Sequence, residues 1–325
     1  MKKLLGIDIG GTKCAVSIAN SLGSDLDIMD REVIPTSGSA TDVLSQLIEL
    51  GNQLADQYGI EKFDAVGISC GGPLNSEQGL ILSPPNLPTW DEVPVVKIFK
   101  DAFKTAVTLQ NDANACALAE WRWGAGKGFK NVIFLTFGTG LGAGLILNNQ
   151  LYSGTNDMAG EVGHIRLADS GPVGYGKSGS FEGFCSGGGI AQLAKEMVTE
   201  QIESGNSPEF CKNLSEVQNL TTKDVGIAAQ KGDALALEIF SIVGQKLGTG
   251  LAILIDMLNP QRIIIGSIYN RQHEILSPIV TDILKKECLP ISLEVCEIVP
   301  AGLGESVGDY ASFSVALQGL NDNNT

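Results

Sequence analysis

The sequence is poor in the residues that mark several classes of protein. Only 6% of its 325 residues are aromatic, two are histidine, and 22 lysines and arginines face 37 aspartates and glutamates. The resulting net charge of −15 disfavours nucleic-acid and anionic-membrane partners, because both require a cationic surface. Any anionic ligand must therefore be held by local backbone N–H groups and a few cations.

The seven cysteines include no CxxC pair, so neither a disulfide framework nor a zinc ribbon is predicted. No stretch approaches the roughly 18 to 20 apolar residues that a membrane span needs. Asp8 and Lys13 interrupt the apolar start and no cleavage pattern follows, so no signal peptide is expected. Reduced thiols fit a cytoplasmic compartment. We therefore expect a soluble cytoplasmic protein.

Glycine is abundant, and two glycine-rich turns join pairs of apolar strands. Gly10 and Gly11 separate predicted strands at 3–9 and 13–19, and the run 138–144 separates strands at 132–137 and 145–147. When the two turns are aligned, Asp8 corresponds to Thr136. The two turns are about a domain's length apart in the sequence, which indicates an internal duplication. Such turns either bind phosphate through closely approaching N–H groups or serve only as tight turns.

The remaining pattern indicates a mixed α/β chain. Predicted helices cover 41–58, 113–123, a long segment capped by Asp233 and stopped by Asn259-Pro260, and about 305–317; predicted strands cover 65–70, 106–110 and 262–265.

Two pattern matches are misleading. GPVGYGKS at 171–178 satisfies GxxxxGK[ST], but the residues after Ser178 do not begin a helix as a phosphate loop requires. Gly138-x-Gly140-x-x-Ala143, with Asp157 downstream, resembles a dinucleotide fingerprint, but a strand follows where a helix is needed. We interpret the first segment as a glycine-rich surface hairpin.

Polar residues at strand ends offer the groups that phosphoryl transfer needs. Asp8 precedes the first turn, where its carboxylate can orient Mg²⁺ or its waters, and Lys13 follows as a charge for phosphate. Asp112 begins a helix, either as its N-cap or as a base that accepts a hydroxyl proton. Glu161 and His164 form either a structural hydrogen bond or part of a site. The residues alone leave these alternatives open.

Seven segments stand out in order: LLGIDIGGTK (4–13), GISCGGPLN with SPPNLPTW (67–90), QNDANACALAEW (110–121), FLTFGTGLGAGLIL (134–147), AGEVGHIRL (159–167), NPQRIIIGS (259–267) and GLGESVGD (302–309). Together they resemble the ROK family of sugar kinases, within the actin, hexokinase and Hsp70 superfamily. The resemblance implies duplicated actin-like (ribonuclease H-like) domains, each a mixed sheet flanked by helices, with a cleft between them. It places a smaller domain at 1–113, completed by the C-terminal helix at about 305–325, and a larger domain at 114–304. It also implies a homodimer.

The resemblance assigns roles to individual residues. Asp112 matches the catalytic base, and Asp8 matches a residue that positions Mg²⁺ through water. The implied substrate-binding residues are Gly72, Asn86, Asn111, Asp112, Glu161, His164 and Glu182, and the implied nucleotide-binding residues are Gly6, Asp8, Gly10, Gly11, Thr12, Lys13, Gly138, Thr139, Gly140, Gly142 and Gly266.

One departure from the family pattern concerns structural zinc. In the ROK family, the motif CxCGxxGCxE follows the Gly-His pair that this chain has in AGEVGHIRL. The three cysteines of that motif bind zinc together with the histidine. This chain has Val173, Tyr175 and Ser180 at those positions, and one nearby cysteine cannot rebuild a four-ligand site with His164. We expect no zinc, and an apolar or hydrogen-bonded substitute around Val173, Tyr175 and Phe181.

The resemblance implies an ATP- and Mg²⁺-dependent hexose kinase, with the 6-hydroxyl of glucose as the first expectation and glucosamine or an N-acetylhexosamine as the alternative. A non-catalytic sugar-binding protein and a ROK-type repressor are alternatives of another class. Because the phosphate hairpin begins by residue 4, we expect no N-terminal DNA-binding segment, and retained Asp8 and Asp112 favour catalysis. We expect sugar and ATP as partners, with neither nucleic acid nor membrane.

Overall fold

A computed structural model of the protein describes residues 1–322, and the chain divides into two compact units. Unit 1 comprises Met1–Gly128, Gly144–Ala159 and the C-terminal segment from Glu305; unit 2 comprises Phe129–Ala143 and Gly160–Gly304. Residues 323–325, the end of the predicted C-terminal helix, lie outside the described residues. The domain boundary at residue 113 stays a prediction.

The chain through residue 128 alternates strands and helices. Its elements are β1 (Lys2–Ile9), β2 (Lys13–Leu22), β3 (Asp25–Pro35), α1 (Ala40–Gln57), β4 (Ala65–Cys70), β5 (Leu74–Asn75), β6 (Leu80–Ile81), α2 (Val95–Phe103), β7 (Ala106–Asn111) and α3 (Asp112–Trp123).

The remainder begins with a second strand hairpin and is mainly helical thereafter. Its elements are β8 (Val132–Phe137), β9 (Leu141–Leu147), β10 (Gln150–Leu151), a 3-10 helix (Val162–His164), β11 (Val173–Gly174), β12 (Lys177–Ser178), α4 (Phe181–Phe184), α5 (Gly187–Glu203), α6 (Leu214–Val217), α7 (Thr222–Gln230), α8 (Ala234–Leu258), β13 (Arg262–Ile265), α9 (Ile268–Arg271), α10 (His273–Glu287), α11 (Pro290–Leu293), β14 (Glu297–Pro300), a 3-10 helix (Gly304–Ser306) and α12 (Val307–Asp322).

Two five-stranded sheets share one strand order. The first is β3-β2-β1-β4-β7, in which β1 pairs antiparallel with β2 and parallel with β4. The second is β10-β9-β8-β13-β14, in which β13 pairs in parallel with both β8 and β14. If the strands of each sheet are numbered by their order in the chain, both sheets have the spatial order 3-2-1-4-5. The duplication predicted from the two glycine turns is confirmed at the level of topology.

Side chains of β1 alternate between two covered faces of the first sheet. Leu5 and Ile7 join a core that includes residues of α1 and α2, whereas Leu4 packs with Phe313 of α12. This alternation places Asp8 on the α12 face, because side chains two apart share a face. A Cβ at Gly6 would lie 2.3 Å from Ser312 Oγ, so close packing of α12 explains this glycine.

Local signals set the ends of α8, as predicted. Asp233 caps its start by accepting Ala236 N–H at 3.0 Å, and Asn259 ends it in the left-handed conformation before Pro260. Glycines 244 and 248 let α10 approach closely, since a Cβ at either position would fall within 3 Å of an isoleucine side chain of α10.

Among the described helices, α8 has the length and hydropathy of a membrane span. The expectation that no apolar stretch approaches that length is therefore corrected. Of its most apolar window, 61% is buried inside the protein, so packing accounts for its apolar composition.

Candidate active site

The first glycine turn follows Asp8 at the end of β1. Gly10 N–H donates to Lys13 O at 3.2 Å, and a Cβ at Gly10 would lie 2.7 Å from that oxygen, so the turn requires glycine. Thr36 follows β3 and donates its Oγ1 to Gly10 O at 2.6 Å and its N–H to Thr12 O at 3.0 Å. A threonine that no sequence motif indicated therefore fixes the turn.

Asp8 is half-buried in a charged environment. Burial raises the pKa of its carboxyl to about 6; the charge of Arg31 lowers it, that of Asp112 raises it and that of Lys13 lowers it. Arg31 also pairs with Asp309, at 3.0 Å between Nε and Oδ1. Mutual repulsion of the Asp8 and Asp112 carboxylates favours a cation beside them, and carboxylate oxygens are ligands that Mg²⁺ accepts.

Asp112 is the first residue of α3, and Asn111 before it is the N-cap. Ala113 N–H donates to Asn111 Oδ1 at 2.9 Å and also to Asp112 Oδ1 at 2.8 Å. The alternative that Asp112 is the N-cap is therefore corrected, because the cap lies one residue earlier. The Asp112 side chain is accessible to solvent but densely surrounded by protein atoms, and this partial desolvation raises its pKa against the backbone hydrogen bonds that lower it.

Two loops bring further predicted residues to this end of the sheet. A Cβ at Gly72 would lie 3.1 Å from Asn111 Nδ2, and one at Gly11 would lie 2.5 Å from Asn86 Cβ. Gly71 faces Asp112, with 4.0 Å between its Cβ position and Oδ2. Unit 1 thus gathers most of the residues predicted from its part of the sequence: Asp8, Gly10, Gly11, Thr12, Lys13, Gly72, Asn86, Asn111 and Asp112. Gly6, also predicted to bind nucleotide, lies within β1 and packs against Ser312 of α12.

The second glycine turn connects β8 and β9. Gly138 N–H donates to Gly140 O at 3.1 Å, and Gly187 N–H, at the start of α5, donates to Gly138 O at 2.8 Å. Thr136 Oγ1 accepts Gly142 N–H at 2.9 Å across the hairpin. Its alignment with Asp8 in the repeat was the one sequence signal for this bracing residue.

Glu182 of α4 contacts the second turn. Its Oε2 accepts Leu141 N–H at 3.0 Å and lies 2.8 Å from the Cβ position of Gly140. A Cβ at Gly163 would lie 3.1 Å from Glu182 Cβ, so the 3-10 helix that follows Glu161 packs on the same side chain. The resemblance implied a sugar contact for Glu182, and the structure adds a backbone contact to the nucleotide turn.

Gly266 follows β13 and lies near the same turn. Its N–H donates to Leu135 O at 3.0 Å, and the next residue, Ser267, has a φ of 55°. Ser267 Oγ is 3.6 Å from the point that a Cβ would occupy at Gly138. The predicted nucleotide residues of unit 2 are therefore close to one another.

The GPVGYGKS segment is a β-hairpin, as interpreted from the sequence. Strands β11 and β12 pair antiparallel, and Tyr175 and Gly176 form the turn with φ of 44° and 74°. Lys177 lies in β12 and donates its Nζ to His164 O at 2.6 Å. The Tyr175 ring meets the His164 ring edge to face, with 6.4 Å between centroids. Lys177 therefore has a structural partner, and the helix that follows it, α4, has only four residues.

The residues at the family's zinc positions have other partners. Ser180 caps α4 by accepting Gly183 N–H at 3.0 Å, and the Val173 backbone bonds twice to the Gln192 side chain. Cys185 is buried, and burial raises the pKa of its thiol well above the usual range. This donor set does not fit zinc, which takes thiolate and imidazole ligands. Residues 1–322 also contain no cluster of three or more His, Cys, Asp or Glu side chains suited to a metal.

Comparison with known proteins decides the family. The ROK family model matches residues 4–318. This chain belongs to the ROK family. A relative, the glucokinase of Halalkalibacterium halodurans, is 33% identical over 311 residues, which are 94% of this chain and 92% of the relative.

Solved ROK structures confirm the predicted fold class of mixed sheets flanked by helices. The ROK family glucokinase from Streptomyces griseus in complex with glucose and AMPPNP superposes with a TM-score of 0.75 at 26% identity, covering 97% of this chain and 99% of that one. A ROK family transcriptional regulator, homologous to the E. coli MLC protein, gives a TM-score of 0.84 at 25% identity over 98% and 78%. The fold alone therefore does not separate kinase from regulator.

Proposed function

We propose that this ROK protein transfers the γ-phosphoryl group of ATP to the 6-hydroxyl of glucose. The class, an ATP-dependent sugar kinase, is supported by the family and the named relatives; the hexose and the hydroxyl are our proposal. The observation that carries it is the accessible Asp112 carboxylate, which begins α3 beside Gly71 and interacts electrostatically with Asp8.

Asp112 orients the sugar hydroxyl and accepts its proton as the new bond to phosphorus forms. Phosphoryl transfer has a loose transition state, so the base mainly aligns the attacking oxygen. The raised pKa of Asp112 makes it a better proton acceptor than an ordinary carboxylate. The loop carrying Gly71 faces this carboxylate and leaves room for a substrate group, because glycine adds no side chain.

Each glycine turn presents backbone N–H groups that suit phosphate oxygens, and Lys13 is a cation beside the first turn. Asp8 is the residue that would hold Mg²⁺ through water. The absence of a three-residue acidic cluster among residues 1–322 is compatible with this role, since Mg²⁺ often takes one or two carboxylates plus substrate phosphates. When bound, the ion neutralises charge on the phosphate oxygens.

In unit 1, Asn86 and Asn111 are the side chains proposed to bind sugar hydroxyls, with Gly72 providing space. In unit 2, Glu161, His164 and Glu182 have this proposed role. Asn111 Oδ1 is committed to capping α3, so its Nδ2 amide is the group that donates to a sugar oxygen. Glucosamine and N-acetylhexosamines are the alternative substrates, because they share the hydroxyls that these residues would contact.

A regulator without kinase activity is the second candidate, and the similarity to a solved ROK transcriptional regulator favours it. The net charge of −15 opposes binding to DNA. A homodimer in the cytoplasm completes the proposal, and light scattering and cell fractionation test those two points.

ADP release coupled to a dye reaction tests the proposal. The panel contains glucose, 6-deoxyglucose, glucosamine, N-acetylglucosamine and N-acetylmannosamine with MgATP. We expect turnover with glucose, none with 6-deoxyglucose, and a loss of about a hundredfold or more in kcat for Asp112→Asn. Asp56→Asn, at an exposed position of α1, is the matched control.

Each rival has its own outcome. If the protein prefers an amino or N-acetylated sugar, that sugar, and not glucose, is its substrate. Sugar binding without turnover indicates the non-catalytic protein, and a salt-sensitive shift of DNA indicates the repressor.

A further inference from the structure

His164 receives two contacts from one hairpin. Lys177 Nζ donates to the His164 backbone oxygen at 2.6 Å, and the Tyr175 ring meets the imidazole at an interplanar angle of 77°. Both side chains come from the β11–β12 hairpin, one from its turn and one from its second strand. A single loop therefore contacts both the backbone and the ring of this histidine.

The hairpin is itself anchored to the rest of unit 2. Gln192 of α5 accepts Val173 N–H at 3.0 Å and donates to Val173 O at 2.9 Å. Arg166, two residues after His164, donates to Ser178 O at 2.9 Å. The hairpin and the His164 segment thus form one hydrogen-bonded piece.

His164 needs such support because of its position. It is exposed and ends a 3-10 helix of three residues, so core packing does not fix its ring. The hydrogen bond from Lys177 is charge-assisted, and such bonds are stronger than neutral ones. In the family pattern a zinc ion would bind this histidine, but the donor set here does not fit zinc.

We propose that Lys177 and Tyr175 are positioning residues that hold His164 in its sugar-binding orientation without a metal ion. The inference rests on the proposed function, in which His164 bonds a sugar hydroxyl. The inference gives a role to Lys177, the lysine of the phosphate-loop pattern. From its strand, the ammonium group of Lys177 binds the backbone oxygen of His164, a residue of the proposed sugar site.

The inference is tested by substituting Lys177 and Tyr175 and measuring the KM for the sugar and the KM for ATP separately. We expect Lys177→Met and Tyr175→Ala to raise the KM for the sugar on the order of fivefold, the effect of losing one net hydrogen bond. The KM for ATP and kcat at saturating sugar stay near wild type. Lys177→Arg and Tyr175→Phe, which keep the donor and the ring, restore the sugar KM. Lys223→Met, an exposed lysine on α7 of the same unit, is the matched control.

Two measurements independent of turnover accompany the kinetics. Titration calorimetry with the sugar alone should show the same loss of affinity in Lys177→Met and Tyr175→Ala. Elemental analysis of the purified wild type should give far less than one zinc per chain, and a chelator should leave sugar affinity unchanged. One equivalent of zinc, or unchanged sugar affinity in both variants, overturns the inference.

The outcomes separate this inference from the proposed function. A wild type that binds sugar but phosphorylates none refutes the kinase, while calorimetry of the variants still decides the role of Lys177 and Tyr175. A wild type that binds no sugar of the panel overturns both.

Discussion

Glu182 Oε2 accepts the backbone N–H of Leu141 at 3.0 Å, so a side chain proposed to bind sugar also holds the second glycine turn. Gly163, in the segment between Glu161 and His164, packs on the Cβ of the same residue. The Glu182 side chain therefore supports both the second glycine turn and the segment between Glu161 and His164.

Replacing Glu182 should affect both substrates. We expect Glu182→Ala to raise the KM for ATP and the KM for sugar together, each by about fivefold or more, because it removes the turn's acceptor and a sugar ligand. Glu182→Gln keeps an oxygen for Leu141 N–H, so its KM for ATP should stay near wild type while its KM for sugar rises. Two-substrate steady-state kinetics measure both values. If Glu182→Ala changed the sugar KM alone, the contact with the turn would have no functional weight.

The start of α3 depends on a glycine in β9. A Cβ at Gly144 would lie 2.4 Å from Ala113 O and 2.5 Å from Ala117 Cβ. We expect Gly144→Ala to displace the first turn of α3 and with it Asp112, lowering kcat by roughly 10- to 100-fold, since small misplacements of a reacting group are costly.

The control for that substitution is Gly308→Ala. Gly308 lies in α12, and its Cβ position has no atom within 4 Å, so an alanine there should leave kcat unchanged and slightly favour the helix. Parallel melting curves and kcat values decide the outcome. A Gly144→Ala enzyme with full kcat would show that α3 tolerates the added methyl group without moving Asp112.

Asp8 should reduce the stability of the folded protein at neutral pH. Its pKa is about 6 in the folded protein, against 3.8 for an ordinary aspartate side chain. Between those values the folded state holds more protons than the unfolded chain, so stability falls as pH rises through this range and levels off above it. We expect Asp8→Asn to be more stable than wild type at pH 8, by up to about 3 kcal/mol, although inactive.

Urea unfolding at pH 8 and pH 4 checks this sign. The difference between Asp8→Asn and wild type should shrink towards zero at the lower pH, where both side chains are neutral. A variant less stable than wild type at pH 8 would mean that ion pairing of Asp8, with Arg31 as its foremost cation, outweighs the cost of burial.

Features with local signals could be predicted from the sequence. Buried strands before glycine turns, the Asp233 cap and the Asn259-Pro260 stop depend on a few neighbouring residues, and the structure places them as expected. The GPVGYGKS hairpin was also predicted, although a four-residue helix, α4, begins three residues after Ser178.

Features set by distant contacts could not be predicted in this way. The Thr36 bond to Gly10 spans 26 residues and the Gln192 bonds to Val173 span 19, and neither follows a motif. The choice between Asn111 and Asp112 as the cap of α3 also escaped the sequence. Both residue types cap helices well, and only the backbone conformation of Asn111 distinguishes them.

The apolar character of α8 has a consequence for synthesis of the protein. Helix α10, which packs closely on Gly244 and Gly248, lies later in the chain. A nascent chain that has released α8 but not α10 therefore presents an apolar helix with one face uncovered, the kind of surface on which partly folded chains aggregate. The yield of native protein should be most sensitive to translation pauses at which α8 has left the ribosome and α10 has not, before α10 can cover that face.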